Sequence, residues 1–502
     1  MLPRITLEAA RRFGDATAYV APDGWALSYA DLDRLSDRVG VGFAHRGLGP
    51  GAVVALVLPP GPEYLIAYLA AAKVGAITTG VNDRLAPAER DAILEIAQPE
   101  LVLATAGLAP SDPSLRVEEI IAAEHHDGVL ETLQRDGLVP PLADDNDRPV
   151  ANIFTSGTTG LPKGALYTNR QLAFVTTTDV GDQWGGGTRS LTGTSFAHLG
   201  FMTKLAGNLQ RGGTSFIMSR WRARAALELL AREHMTTVAG VPTQLALMLA
   251  DPSFDDLDLD RVRYIIVGGG PITPATAAEA RARFGAALAT RYSCTEAGIG
   301  LGTGFGDPDE DAVLSVGRPH AAVDLAVLDE NDHPIRAGEV GCVCLRSPAV
   351  MAGYWHDPEG TRAAFTASGH VRTGDLGWID EQGRLRLVGR SKEMYVRGGY
   401  NVYPVEVEAV LSTHPDIAAV AVVPQPDPVM GEIGVAFVVA RDPAVPIELA
   451  ALREFGGDRL AHSKLPERVH VIDALPLTAG EKIDRRALSQ LVEELSPPRV
   501  RG

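Results

Sequence analysis

The amino-acid sequence predicts an α/β fold, on three observations. Amphipathic stretches at helical spacing alternate with short apolar runs, the signature of strands layered under helices. A stretch of closely spaced, Gly-, Asp- and Pro-punctuated strand patterns then interrupts this rhythm, and helices and strands resume towards the C-terminus. The expected architecture is a large N-terminal domain of layered α/β subdomains with a β-rich subdomain, followed by a small α+β domain. A chain of 502 residues exceeds one ordinary core, so roughly three domain-sized units are expected.

From Ser28 the apolar positions Leu32, Leu35, Val39 and Phe43 recur at helical spacing and stop at Gly47, which predicts one amphipathic helix. A strand at VVALVL, a helix around PEYLIAYLAAAKVG, a strand at AITTGV, a helix near PAERDAILEIA and an apolar run LVLAT follow. The polar segment Asp144 to Arg148 leads into ANIF, a strand that delivers the string TSGTTGLPKG. The rhythm returns with a helix RAALELLAREH, a strand TTVAG, a helix PTQLALMLA, the strand YIIVGGG, a helix from Thr273 to Phe284 and a strand near ALATRYS. That strand ends in YSCTE, and ligands of open α/β sheets sit beyond the carboxyl ends of strands, so YSCTE is expected in a crevice.

From Ser315 to Arg390 the strands VDLAVL, EVGCVCLRS and RLRLVGR form the β-rich part, with Asp375 expected at a strand end. Beyond Lys392 come a helix near VEVEAVLSTHP, strands IAAVAVVP and VAFVVA, a helix ELAALREF and a strand RVHVI. Only the terminal SPPRVRG has a composition that suggests disorder.

A net charge of −17 opposes general attraction to nucleic acid or an anionic membrane. No run of about eighteen uncharged apolar residues and no cleavable leader are evident, so a cytoplasmic protein without a membrane span is expected. Three cysteines make no disulfide framework and lack metal-ligand spacing.

TSGTTGLPKG, Thr155 to Gly164, has the makings of a phosphate loop. Gly157, Gly160 and Gly164 allow close backbone approach and positive φ; Thr155, Ser156, Thr158 and Thr159 offer hydroxyls; Lys163 brings a charge. It is not the loop of P-loop NTPases, because Pro162 precedes Lys163 and Gly164 follows it.

Together, TSGTTGLPKG, YSCTE, RTGD at Arg372 to Asp375, GRSKEMYVRGGYNVYPVEVE from Gly389, and Lys482 within PLTAGEKIDRRAL resemble the adenylate-forming superfamily of acyl-CoA synthetases, adenylation domains and luciferases. The motifs stand in the family's order, and the likeness extends over essentially the whole chain. It implies an adenylation domain over residues 1–389, binding ATP and acid, and a mobile domain over 390–502. The implied reaction is ATP-dependent carboxylic acid:CoA ligation on a medium-chain, long-chain or alicyclic acid, with CoA as cosubstrate and Mg²⁺ as cofactor. A homodimer is compatible with it.

The resemblance also assigns roles. Lys482 bridges carboxylate and α-phosphate, Glu296 holds Mg²⁺, and Thr295 offers its hydroxyl to phosphate. Tyr292 presents a ring to adenine, Asp375 accepts from the ribose hydroxyls, and Arg390 reaches the nucleotide from the domain boundary. Gly268, Gly269 and Gly270 line the nucleotide and acid pocket, and His198 matches an aromatic gate between acid and thiol tunnel. Lys392 matches the hinge, while Gly398 and Gly399 let a pantetheine arm pass. Ser293 departs from the glycine common in the family and is expected to narrow or polarise the pocket. An ammonium about 4 Å from an anionic oxygen gains on the order of 4 kcal/mol at an effective dielectric of roughly 20, so the Lys482 role is energetically substantial.

Two other functions stay open: loading a carrier-protein thiol, and nucleotide binding without catalysis. No Asp stands in SFAHLG, where amino-acid-activating relatives place one, and Val396 stands where luciferases carry their second lysine.

Overall fold

Three strands apolar on both faces form the centre of the larger domain. In the computed structural model, which describes residues 1–155 and 161–495, Val53–Val57, Ile77–Gly80 and Leu101–Thr105 are buried along almost their full length. Parallel strands covered on both sides require this. They pair in parallel with each other, with Pro149–Thr155 and with Val117–Ile120. Two antiparallel strands, Lys163–Thr168 and Gly353–Tyr354, complete a seven-stranded sheet.

The helix predicted from Ser28 spans Tyr29–His45. Ser28 caps it: the Asp31 N–H donates to Ser28 Oγ at 3.0 Å, and the Ser28 N–H donates to Asp31 Oδ2 at 3.1 Å. Its stripe of Leu32, Leu35, Val39 and Phe43 is buried. It packs on Pro62–Val74, a helix apolar almost all round and buried accordingly. The buried Lys73 ammonium lies 2.6 Å from both Asp33 Oδ1 and Asp37 Oδ1, which compensates its charge and ties the two helices together.

A second sheet carries Thr237–Gly240, Tyr264–Gly268 and Ala287–Tyr292 in parallel, then Leu301–Gly302 and Arg318–Pro319 antiparallel. Helices Ala223–Arg232, Pro242–Ala250 and Pro274–Phe284 contribute to its own core, with Leu227, Leu245, Ile265 and Ala277 inside. YSCTE therefore begins at the carboxyl end of a strand, as expected.

The β-rich part is an antiparallel sheet of Asp324–Leu328, Gly341–Arg346, Val371–Ile379 and Leu385–Arg390. Here one expectation is corrected: Asp375 stands inside Val371–Ile379, not at a strand end. Gly374 at φ +78° and register breaks on both sides kink the strand there, so its composition imitates a turn. Cys342 and Cys344 alternate along Gly341–Arg346, and all three cysteines are free thiols.

Leu385–Arg390 ends the large domain's strands, and Tyr395–Arg397 already belongs to another sheet. The small domain joins Tyr395–Arg397, Tyr400–Val402, Ile417–Asp427, Gly431–Ala440 and Arg468–Val471. Its last helix, Arg485–Leu495, has no counterpart in the sequence reading; Leu488 and Val492 pack there with Val423, Val435 and Phe437. Also unanticipated are the helix Leu2–Phe13 and a sheet in which Thr17–Val20 pairs in parallel with Thr214–Ile217. SPPRVRG lies outside the described residues. Among those described, no helix is long and apolar enough to cross a membrane.

Candidate active site

Tyr292 ends its strand with the ring buried, and its phenol donates to Asp375 Oδ2 at 2.7 Å. Burial and the neighbouring Asp375 carboxylate push the phenol's pKa well up, so it stays a donor. Arg390, opposite Asp375 in the ladder, donates from Nε to Asp375 Oδ1 at 3.2 Å. Burial disfavours the Arg390 charge, but Asp375 and Glu393 outweigh that and hold its pKa above the ordinary value. Each carboxylate oxygen of Asp375 thus has one neighbour and keeps a second lone-pair direction for a ligand.

The end of the glycine-rich string meets Glu296 through Tyr354. Tyr354 sits on the edge strand paired with Lys163–Thr168; its phenol donates to Glu296 Oε1 at 2.8 Å, and Lys163 Nζ lies 4.9 Å from its ring centroid. Lys163 Nζ is also 3.6 Å from Asp357 Oδ2. The Tyr167 phenol donates to the Thr295 carbonyl, and the Met351 N–H donates to the Glu296 carbonyl at 2.9 Å. Ser156, Gly157, Thr158 and Thr159 lie outside the described residues. Thr155 ends the incoming strand, opposite Lys163 in the ladder.

The reading of Gly164 is corrected. It is a strand residue without positive φ, and a Cβ there would lie 2.2 Å from Asn152 Oδ1. Close packing on Asn152 demands this glycine. Ser293 turns its hydroxyl to the Cys294 carbonyl at 3.2 Å.

A third cluster forms where the small domain meets the large one. Lys482 runs past Gly269, whose φ is +81° and where an added Cβ would be 3.5 Å from Lys482 Cε. Gly268 lies opposite Arg291 on the neighbouring strand, and Gly270 lies beside Pro242. Lys482 keeps access to solvent in this crevice. Its pKa is lowered, first by burial and then by Arg390, with Asp375 partly opposing, so the lysine feels the Asp375 pair directly. His198 immediately precedes the short helix Leu199–Met202, and its Nε2 is 3.4 Å from Asn82 Nδ2. Burial, then Lys482 and Arg84, lower its pKa to about 4, which leaves the imidazole neutral at physiological pH.

Two further predicted groups lie in turns. Gly398 and Gly399, at φ +55° and +86°, turn the hairpin between Tyr395–Arg397 and Tyr400–Val402, where Tyr400 is exposed. Lys392 lies in the turn that follows Leu385–Arg390, where the Ser391 N–H donates to the Gly374 carbonyl. The sequence reading missed Tyr354, Asp357, Tyr167 and Asn82, because each acts through a pairing distant in sequence. It also missed Glu481, beside Lys482, which reaches Arg84 and Gln244.

Residues 7–355 match the model of the AMP-binding enzyme family, and residues 406–482 match that of the AMP-binding enzyme C-terminal domain. This chain belongs to the AMP-binding enzyme family. Among its relatives is the fatty acid–[acyl-carrier-protein] ligase ScoC of Streptomyces coeruleorubidus, 32% identical over 94% of this chain and 93% of that one. The long-chain-fatty-acid–CoA ligase FadD13 of Mycobacterium tuberculosis is likewise 32% identical, over 94% of this chain and 95% of its own length. The ATP-bound crystal structure of MatB from Rhodopseudomonas palustris superposes with a TM-score of 0.86 at 27% identity, covering 99% of this chain and 100% of that one. The fold of this AMP-binding enzyme is therefore that of adenylate-forming enzymes, and its relatives include both acyl-CoA and acyl-carrier-protein ligases.

Proposed function

We propose that this AMP-binding enzyme joins a medium-chain, long-chain or alicyclic carboxylic acid to CoA at the expense of ATP. The observation that carries the reading is the seat of Lys482: against Gly269, within the field of Asp375 and Arg390, in the crevice that also holds neutral His198. The ATP-bound relative and the CoA ligase among the homologues support the nucleotide and the acceptor.

In the first half-reaction the acid's carboxylate attacks the α-phosphorus of ATP, and pyrophosphate leaves with the electrons of the broken P–O bond. Two anions meet, so charge neutralisation is the main demand. Lys482 supplies it between carboxylate and α-phosphate. Lys163, with Thr155 and the string Ser156, Gly157, Thr158 and Thr159, holds the leaving pyrophosphate. Asp375 takes the ribose hydroxyls, Tyr292 flanks adenine, and Arg390 pairs with Asp375. Thr295 donates to phosphate, while Gly268 and Gly270 leave room for the acid beside Ser293.

No preformed cage of three metal-ligating side chains exists among the described residues. A single carboxylate with phosphate oxygens suits Mg²⁺, which prefers few protein ligands. Glu296 fits, because Tyr354 orients one of its oxygens. Bound there, Mg²⁺ would neutralise phosphate charge.

In the second half-reaction a CoA thiolate attacks the acyl carbonyl and AMP leaves. The domains divide at 389/390, and rotation about Lys392 withdraws Lys482 and brings the Gly398–Gly399 hairpin to the thiol path past His198. The free thiols favour a cytoplasmic setting. A pyrophosphate-release screen over fatty, aromatic and alicyclic acids, with and without CoA, tests acid and acceptor together. Acid-dependent release without CoA consumption would favour a carrier-protein thiol as acceptor, a reading the ScoC relative keeps in view. No acid-dependent release with any acid would leave only nucleotide binding.

A further inference from the structure

Glu481, the residue before Lys482, adopts φ +60°, a left-handed backbone conformation rarely taken by a residue with a side chain. The turn around it is fixed locally: the Glu481 N–H donates to the Thr478 carbonyl at 2.9 Å, and the Thr478 N–H donates to the Lys482 carbonyl at 2.7 Å. Glycine would satisfy this backbone without cost. A glutamate in that place calls for a reason in its side chain.

The side chain reaches two sheets of the other domain at once. Glu481 Oε1 accepts from Arg84 Nη1 at 2.5 Å, and Oε2 accepts from Gln244 Nε2 at 2.7 Å. Arg84 follows the carboxyl end of Ile77–Gly80 in the seven-stranded sheet, whereas Gln244 lies in the first turn of Pro242–Ala250, just after Thr237–Gly240. Gln244 is itself fixed, because its Oε1 accepts from the Val241 N–H at 3.2 Å. The Thr243 hydroxyl also donates to the Glu481 carbonyl, and Asn82 Nδ2 donates to the Ala479 carbonyl at 3.4 Å. Gln244 is thus held before Glu481 reaches it, and both partners of the carboxylate follow the carboxyl ends of strands in the two sheets.

We propose that Glu481 is a positioning residue, an interdomain latch that seats Lys482 in the crevice through Arg84 and Gln244. The latch closes for adenylation and opens before thioester formation. Its role in the two half-reactions rests on the function proposed above; its role in holding the domains together does not. Arg84 serves both contacts of this corner, since it also lies close enough to His198 to disfavour a charged imidazole. Opening the latch therefore removes Glu481 and Lys482 from the crevice in one movement.

The experiment is an electron–electron distance measurement between spin labels at Leu138→Cys and Val429→Cys, both exposed positions on opposite domains, in the full chain with the two partly exposed native thiols removed by Cys294→Ser and Cys342→Ser. The unsubstituted latch should give one narrow distance. Glu481→Gly keeps the turn and removes the carboxylate, and Arg84→Gln removes the charge on the other side; each should broaden the distribution or add a second distance. In parallel, Glu481→Gly should slow acid-dependent pyrophosphate release roughly tenfold, the cost of a misplaced catalytic group, without slowing thioester formation from supplied acyl-adenylate. Distance distributions unchanged in Glu481→Gly would overturn the latch, as would equal loss in both half-reactions. A chain that shows the distance change but no acid-dependent pyrophosphate release would retain the latch and refute the proposed reaction.

Discussion

Tyr354 and Glu296 are joined by a 2.8 Å hydrogen bond from phenol to carboxylate, and the same ring lies beneath the Lys163 ammonium at 4.9 Å. One tyrosine thereby sets the spacing between an acidic group suited to a hard cation and a basic group suited to phosphate. Its own pKa is pushed up by burial and then by Glu296, so it remains a donor across the working pH range.

Tyr354→Phe should loosen the Glu296 carboxylate without removing it. A hydrogen bond to a charged acceptor is worth about 1.5–3 kcal/mol. The expected result is a Mg²⁺ requirement raised roughly tenfold or more in pyrophosphate release, with the KM for the acid nearly unchanged. An unaltered Mg²⁺ titration would show that the Tyr354 bond does not position Glu296 for the metal.

Asp375 gives a different signature. Tyr292 and Arg390 each hold one of its oxygens, so the carboxylate is oriented before any nucleotide arrives. Asp375→Ala should raise the KM for ATP by roughly tenfold or more through the loss of charge-assisted hydrogen bonds. Tyr292→Phe should do so less, since it removes only an orienting bond. Steady-state kinetics with ATP varied at saturating acid separates the two; a change confined to the KM for the acid would contradict the ribose role.

Lys482→Ala should abolish acid-dependent pyrophosphate release while thioester formation from supplied acyl-adenylate continues. Lys392→Pro should do the reverse, because proline fixes φ where a hinge must turn. Single-turnover assays of the two half-reactions decide it. Equal loss of both steps in either variant would contradict the alternation of domains.

Much of this was legible in the chain itself. Parallel strands such as Val53–Val57 read as continuous apolar runs because both faces are buried, and Ser28 with Asp31 marked a helix start through local chemistry. The motif residues Lys163, Tyr292, Glu296, Asp375 and Lys482 were visible as residue types with a task. What stayed hidden was the set of partners. Tyr354, Gln244 and Arg84 act only after distant strands pair or domains meet, and no local periodicity encodes that. The strand through RTGD was hidden for the opposite reason: Gly374 gives a kinked strand the composition of a turn.

His198 links the site to pH. Its pKa falls from 6.5 to about 4 in the folded chain, first through burial and then through Lys482 and Arg84. Between those two values the unfolded chain binds a proton that the folded chain refuses, so stability must rise with pH in that window. The contribution is complete above about pH 6.5 and is lost as pH falls towards 4. A tenfold change in proton affinity corresponds to about 1.4 kcal/mol, which sets a ceiling of ~3 kcal/mol, reduced by the solvent the ring still meets. His198→Phe cannot titrate, so denaturant unfolding at pH 7 and pH 4.5 should show the unsubstituted chain losing more stability on acidification than the variant. Parallel losses in the two proteins would mean that His198 protonates as freely in the folded chain as in the unfolded one, and that the imidazole is not held neutral beside Lys482.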